Sequence, residues 1–482
     1  MTGRSRTIWT FVITSVALFM TQLDNLVVTT ALPVIRVHLH ASLSSLEWTV
    51  NAYTLTFAVF LLTGATLGDR FGRRRLFLIG LTIFTLGSAA AALAPSAGAL
   101  IVARAVQGAG SAIVTPLTLT LLSAAVPVQR RGAALGAWGA VAGLAISSGP
   151  LVGGAVVQGW SWQTIFWINV PIGLILLPLA WRRLEDSHGP STRLDLPGVV
   201  LASSGLFGIV LGLVRANDFG WTSAYVLTAF IGGAALVAAF VRWELRAEQP
   251  MLPMRLFRSR GFTAANGASV LMFFGMFGAI FLLSQAMQTM QGHSPLGAGL
   301  RILPWTGMPI VVAPAAGILA DRIGSRPVVF TGLALQAIGL GWLALVVTPT
   351  APFTSLIAPF VVCGFGMAAF FAPTAALVLS TVRREEEGIA SGAANAMREL
   401  GGVFGVAVLA SVFSAHGSYA SPHAFQLGLR PAVLVGAVIV GVAAVVLLAV
   451  PRRQRLVAAG GDSYPEGLVG SAADLQPVAV GA

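Results

Sequence analysis

The stretch GDRFGRRR, Gly68–Arg75, sets one acid and four arginines into an oily chain, and a shortened form, ADRIGSRP, returns at Ala320–Pro327. Each follows a long apolar run and opens another. Charge that punctuates apolar runs marks a polytopic membrane protein: ~20 apolar residues cross the ~30 Å hydrocarbon layer, and arginine gathers in the loops on one side. Composition points the same way. Of 482 residues 56% are hydrophobic and only 10% charged, with a mean hydropathy of +0.84, whereas a soluble domain carries about 25% charged residues. An ordinary soluble enzyme is thereby excluded. The net charge of +12 does not indicate a nucleic-acid partner, because the arginines lie in short clusters between oily segments and not along one domain face.

Outward from these two stretches, apolar segments between turn and charge signals predict fourteen spans, at 8–32, 46–67, 76–94, 98–125, 133–157, 164–181, 196–214, 223–243, 262–288, 298–319, 328–347, 353–380, 389–414 and 430–450. All 29 basic residues are arginine. With the N-terminus placed inside, the clusters at 4–6, 70–75, 130–131, 182–193, 242–260, 322–326, 383–384 and 452–455 all fall on the inner side. Only Arg36, Arg215, Arg301 and Arg430 fall outside. One span more or fewer destroys this asymmetry, so both termini are expected in the cytoplasm. The basic start and apolar run of the first span imitate a signal peptide, but the run continues past Asp24 without a small-residue cleavage site and is read as a retained helix.

The two charged stretches are an internal repeat, between spans 2 and 3 and between spans 10 and 11. If spans 7 and 8 are an insertion, the order is six, two and six: a bundle at 1–181, linker spans and loops at 182–260, a second bundle at 261–450 and a disordered tail at 451–482. Paired related halves around a central path are a transporter architecture, all helical, with binding near the midplane.

With these residues in hand, the chain resembles the major facilitator superfamily, and within it the fourteen-helix drug:proton antiporters. GDRFGRRR matches the superfamily signature between helices 2 and 3, LDNLVVTTALPVI (Leu23–Ile35) that of helix 1, and RAVQGAGSA (Arg104–Ala112) that of helix 4. SSGPLVGG (Ser147–Gly154) matches the helix 5 motif found mainly in exporters, and SWQTIFWINVPIG (Ser161–Gly173) the entrance to helix 6. Three places depart from the pattern: Ala65 stands where Gly is usual, Trp162-Gln163-Thr164 replaces Trp-Arg-Trp, and Arg398-Glu399 replaces Arg-Gln. The last adds an acid to the membrane. The resemblance implies a monomeric exporter in a bacterial cytoplasmic (inner) membrane that exchanges small amphipathic molecules for protons. A dedicated exporter of one natural product, a proton symporter and a non-transporting sensor stand as alternatives.

Asp24 lies deep in the first span, where an acid costs ~2.5–3.5 kcal/mol on insertion scales. It must face a cavity, find a partner or carry a proton, and the readings of a proton-binding carboxyl and of a group that merely bonds neighbouring helices both stand. Arg104, Gln107 and Ser111 recur at helical spacing on one face, with Gly108 and Gly110 permitting close approach. They form either a coupling site or a polar packing stripe. Asn395, Arg398, Gly402 and Gly405 make a stripe on span 13, with Glu399 about 100° to its side. Glu399 is a second protonation or cation site, or an acid paired locally to arginine. Gly149, Pro150, Gly153 and Gly154 are expected to seal one mouth of the carrier. In the repeated stretches, Gly68, Asp69, Arg70, Gly72 and Arg73, with Asp321 and Arg322, are expected to latch the two halves on the cytoplasmic side. The apolar residues Met272, Phe273, Phe274, Met276 and Phe277 either line a drug path or, individually, face lipid. The six histidines are placed in loops, and neither they nor any other residues suggest a metal, phosphate loop or cofactor. Lone Cys363 forms no intrachain disulfide.

Overall fold

The computed structural model describes residues 3–126, 131–188, 194–382 and 387–450. The expected tail at 451–482 and several predicted loop arginines, among them Arg130, Arg193, Arg383 and Arg384, lie outside the described residues. In chain order the long helices are α1 (Gly3–His38), α2 (Leu43–Phe71), α3 (Arg73–Ala92), α4 (Ala97–Ala125), α5 (Arg131–Gly159), α6 in two pieces (Thr164–Trp167 and Asn169–Arg183), α7 (Leu196–Phe219) and α8 (Ala224–Glu244). They continue with α9 (Arg260–Gln285, extended by a π turn at Ala286–Met290), α10 in two pieces (Pro295–Thr306 and Met308–Ile323), α11 (Ser325–Val346), α12 (Phe353–Leu379), α13 (Glu387–His416) and α14 (Pro422–Leu447). Thirteen of these meet the length and hydropathy of a membrane span, and α5, at 29 residues, completes the predicted fourteen.

Serine starts many of them. Ser42, Ser96, Ser223, Ser259, Ser294 and Ser421 each accept a hydrogen bond from the backbone N–H three residues on, satisfying one of the donors a helix start leaves free. The charged stretch is not a loop. Helix runs through Asp69 and Arg70, breaks at Gly72 alone, and resumes at Arg73. Gly72 has φ +100° and Gly324, its counterpart, φ +89°, a backbone region that side chains rarely enter, so glycine is required at both one-residue joints.

The repeat extends to the packing. α1 packs on α5, α2 and α3 on α4, and α3 on α6; α9 packs on α13, α10 and α11 on α12, and α11 on α14. Each pairing recurs eight helices later, because α7 and α8, which pack on each other, stand between the sets. The two sets meet where α2 lies against α13 and α5 against α10, again counterparts.

Three expectations are corrected. α14 begins at Pro422, so Arg430 is inside a helix, as Arg36, Arg215 and Arg301 also are; long arginine side chains reach a polar boundary from within a helix end. His38 and His416 close α1 and α13, and His423 belongs to the first turn of α14, so these three are helical and not in loops. Met272, Phe273, Phe274, Met276 and Phe277 are all buried in the protein core and face neither lipid nor the large cavity. Glycine explains this: a Cβ on Gly401 would stand 2.3 Å from the Val270 carbonyl oxygen and one on Gly405 2.1 Å from that of Phe274. α13 therefore presses its backbone onto α9 and encloses the aromatic face.

Candidate functional site: a buried charge network and a separate cavity

Asp24, 4% exposed, sits in α1 opposite fully buried Arg104 of α4. The Arg104 Nη1 group pairs with Asp24 Oδ2 and donates to Gln107 Oε1 at 2.6 Å. Asp24 Oδ1 accepts from Gln107 Nε2 at 2.9 Å and from Asn169 Nδ2 at 2.8 Å. Gln107 also donates to Ser88 Oγ at 2.7 Å, and Arg104 Nε to the Thr49 carbonyl at 3.2 Å. Four helices, α1, α3, α4 and α6, thus contribute side chains to one network. Asn169 reaches it from the break in α6, where Pro171 offers no N–H to the Trp167 carbonyl and the helix interrupts its ladder. Tyr53 stacks under the Arg104 guanidinium, 4.2 Å from its ring centroid, and donates to Ser111 Oγ at 2.8 Å. Asp24, Arg104 and Gln107 come together in one network, with Ser111 joined through Tyr53, and Asn169, Ser88 and Tyr53 are not anticipated from the sequence.

On α13, Arg398 and Glu399 are arranged differently. The Arg398 guanidinium lies 5.5 Å from the Phe273 ring centroid. Buried Glu399 Oε2 has no hydrogen-bond partner. Tyr53 lies within electrostatic reach of Asp24 in the first half and of Glu399 in the second. One helical turn before Glu399, Asn395 lines a cavity of about 870 Å³ that also touches Thr115, Pro116, Trp138 and Asp69. This cavity opens at the end that carries the arginine-rich joints.

At that end Asp69 pairs with Arg73, four residues on, at 2.7 Å. The start of α3 is capped by another acid: Asp186 Oδ1 accepts from the Arg74 N–H at 3.1 Å, where the helix N-terminus favours negative charge. Arg70 lies 5.1 Å from the Phe71 ring centroid. Gly68 leaves room for Leu117 of α4. Asp321 and Arg322 are exposed, and the second joint is tied instead by Arg326, which donates to the Leu448 carbonyl at 2.7 Å. Asp195, at the cavity rim just before α7, accepts from the Gly198 N–H at 2.9 Å and the Trp243 indole at 2.6 Å. Although burial works to raise it, these bonds, with one from the Met251 N–H and a hydrogen bond shared with Glu244, hold its carboxyl below the ordinary value.

The opposite end is closed. A Cβ on Gly149 or Gly153 would collide with Leu26 and Thr30 of α1, and one on Gly154 with the Pro295 carbonyl of α10. Pro150 offers its carbonyl to the same contact: a Cβ on Gly299 would stand 2.3 Å from it. Pro33 withholds the N–H that would bond the Thr29 carbonyl, and Ser284 of α9 supplies the missing donor at 3.2 Å. Gln288 donates to the next carbonyl, Thr30, at 2.9 Å.

The sequence model of the Major Facilitator Superfamily matches residues 14–198 and 265–473. The chain belongs to the Major Facilitator Superfamily. It is a multi-pass membrane transporter of that superfamily, from its drug-efflux branch. It is 36% identical over 408 residues to the multidrug resistance protein Stp of Mycobacterium tuberculosis, covering 84% of this chain and 76% of that one. It is 37% identical to the tetracenomycin C resistance and export protein of Streptomyces glaucescens, covering 83% and 74%. With the methylenomycin A resistance protein of Streptomyces coelicolor it shares 33%, covering 91% and 92%. The superfamily fold also appears in a solved POT family transporter, with a TM-score of 0.66 at 16% identity over 90% of this chain and 95% of that one. The residues between the two matched stretches, 199–264, carry most of α7 and all of α8.

Proposed function

We propose that this transporter is a proton-coupled antiporter that exports amphipathic small molecules across the bacterial cytoplasmic membrane by alternating access, as a monomer surrounded by lipid. In this reading the arginine-rich end is cytoplasmic, both termini lie there, α1–α6 and α9–α14 are the moving bundles, and α7 and α8 are the linker. The structure then corresponds to an inward-open state. The observation that carries the proposal is the buried Asp24–Arg104–Gln107–Asn169 network, in a protein whose cavity lies toward the arginine-rich end and reaches Asn395. An acid that can trade a bonded charged form for a protonated one ties its charge to the arrangement of the helices around it. Substrate entering beside Asn395 and a proton on the buried acids would favour different arrangements, which is the requirement for exchange. Asp69, Arg73 and Asp186 would fix the inner joint, and the Gly149–Gly154 segment the outer seal.

A dedicated exporter of one natural product is the second reading, favoured by relatives named for tetracenomycin C and methylenomycin A. A resistance profile in an efflux-deficient host separates one compound from many. Coupling is tested in everted vesicles: a compound that the protein exports should drive proton movement, and Asp24→Asn should abolish it. Full uphill export by Asp24→Asn would remove Asp24 from the coupling step, and uphill export by the native protein after the pH difference has been collapsed would end the proton reading.

A further inference from the structure

Glu47, near the start of α2, takes no part in the mechanism above. It is 3% exposed, and its buried Oε2 has no hydrogen-bond partner. One turn on, Asn51 is fully buried with both side-chain ends unpartnered. After a further turn Thr54 donates to Asn25 Oδ1 at 3.5 Å, and Asn25 is the neighbour of Asp24. Residues 47, 51 and 54 share one helix face and span ~10 Å at 1.5 Å per residue.

Each buried polar group left unpaired costs about 1–3 kcal/mol, and an unpaired ionised carboxylate costs more. Glu47 and Asn51 concentrate these costs on one face that ends at the Asp24 network. Asn51 presents an acceptor and donors, the set needed to hold bridging water.

Within electrostatic reach of Glu47 is a cover made by both halves. Arg36 of α1 stacks 3.8 Å from the centroid of Tyr419, in the α13–α14 link, and Tyr419 donates to Gln285 Oε1 of α9 at 2.5 Å. Glu47 lies within electrostatic reach of Tyr419 and of the Arg215–Asp218 pair closing α7, which measures 3.1 Å. Arg104 is the charge toward the interior, bonded to the Thr49 carbonyl. Arg36 and Tyr419 belong to opposite halves, so parting the halves at this end would break their stack.

We infer that Glu47 is the outer proton-loading carboxyl, and that the Glu47–Asn51–Thr54–Asn25 face passes its proton through bound water to the Asp24 network. Glu47 takes a proton from the outer medium while the cover is open. Its O–H then releases that proton to water, Asp24 accepts one from the same chain of water, and the Glu47 carboxylate is reloaded at the next opening. The inference rests on the proton-antiport reading.

The test uses the full-length protein in proteoliposomes, with ethidium as the transport probe and infrared difference spectra between mildly acidic and mildly alkaline buffer. Glu47→Gln should keep ethidium exchange without a gradient within about twofold of the native rate, lose at least about tenfold in accumulation driven by a pH difference, and lack one carboxyl band. Glu47→Asp should recover most of that loss. Asn51→Leu should keep the band and lose the driven accumulation. Undiminished driven accumulation in Glu47→Gln, or loss of exchange together with it in a protein that melts like the native one, overturns the assignment. If ethidium is not carried, the infrared band decides: its persistence in Glu47→Gln overturns the assignment and its loss supports it. Native accumulation that ignores the pH difference defeats the antiport reading instead, and is recognised before any variant is made.

Discussion

Each half holds an arginine and an acid within its helices but treats them differently: Asp24 and Arg104 are buried, whereas Arg398 and Glu399 are partly exposed. In the first, Asp24 meets Arg104, Gln107 and Asn169 and every carboxylate oxygen is bonded. In the second, Arg398 rests on an aromatic ring and Glu399 keeps an oxygen without a partner. A fully bonded buried ion pair is hard to disturb, because removing one member strands the other. An acid with a free lone pair can accept a proton or face a cation without first breaking a bond. Under the proposed antiport, the difference would give the halves separate tasks: the first a latch whose bonds break during the cycle, the second a site that changes occupancy in the present conformation.

Stability should expose this contrast most strongly. Asp24→Ala leaves Arg104 buried and unpaired and should destabilise the protein by about 3–5 kcal/mol, whereas Glu399→Gln, which removes no existing bond at Oε2, should cost under about 1 kcal/mol. Thermal melting in detergent compares them, and equal losses would erase the distinction. A double-mutant cycle sharpens it. Asp24 and Arg104 should couple by about 1–3 kcal/mol and Arg398 and Glu399 by less, since only the first pair forms a salt bridge.

Much of this was legible in the sequence. The arginine clusters predict fourteen spans because topology is written in loop charge, and helical periodicity places Arg104, Gln107 and Ser111 on one face. Asn169 was not legible, since it bonds Asp24 across 145 positions of chain and no periodicity links them. Tyr53 reads as one more apolar residue, and Glu47, at the edge of a predicted span, reads as a boundary charge. The Met and Phe residues of α9 mislead for a physical reason: lipid and protein interior are equally apolar, so hydropathy does not separate them. Gly401 and Gly405, which decide the matter, lie on another helix.

The smallest effect concerns Asp195, an acid bonded as fully as Asp24 but outside the spans. Its carboxyl is held below the ordinary value, so its contribution is present above the unfolded value, about 3.9, and is lost as pH falls through the lower folded value. Acid melts should show the base of α7 and α8 loosening only in that range, and Asp195→Asn should remove this acid dependence with little change near neutrality. Loosening that begins at neutral pH would show that its bonds do not stabilise the charged form.

The central claim is that substrate occupancy and the charge of the buried acids are linked. The direct measurement is the number of protons released when an exported compound binds the purified protein in weakly buffered detergent solution. The account predicts release from the native protein that falls in Asp24→Asn and in Glu399→Gln. Saturable binding with no proton released at any pH would contradict it.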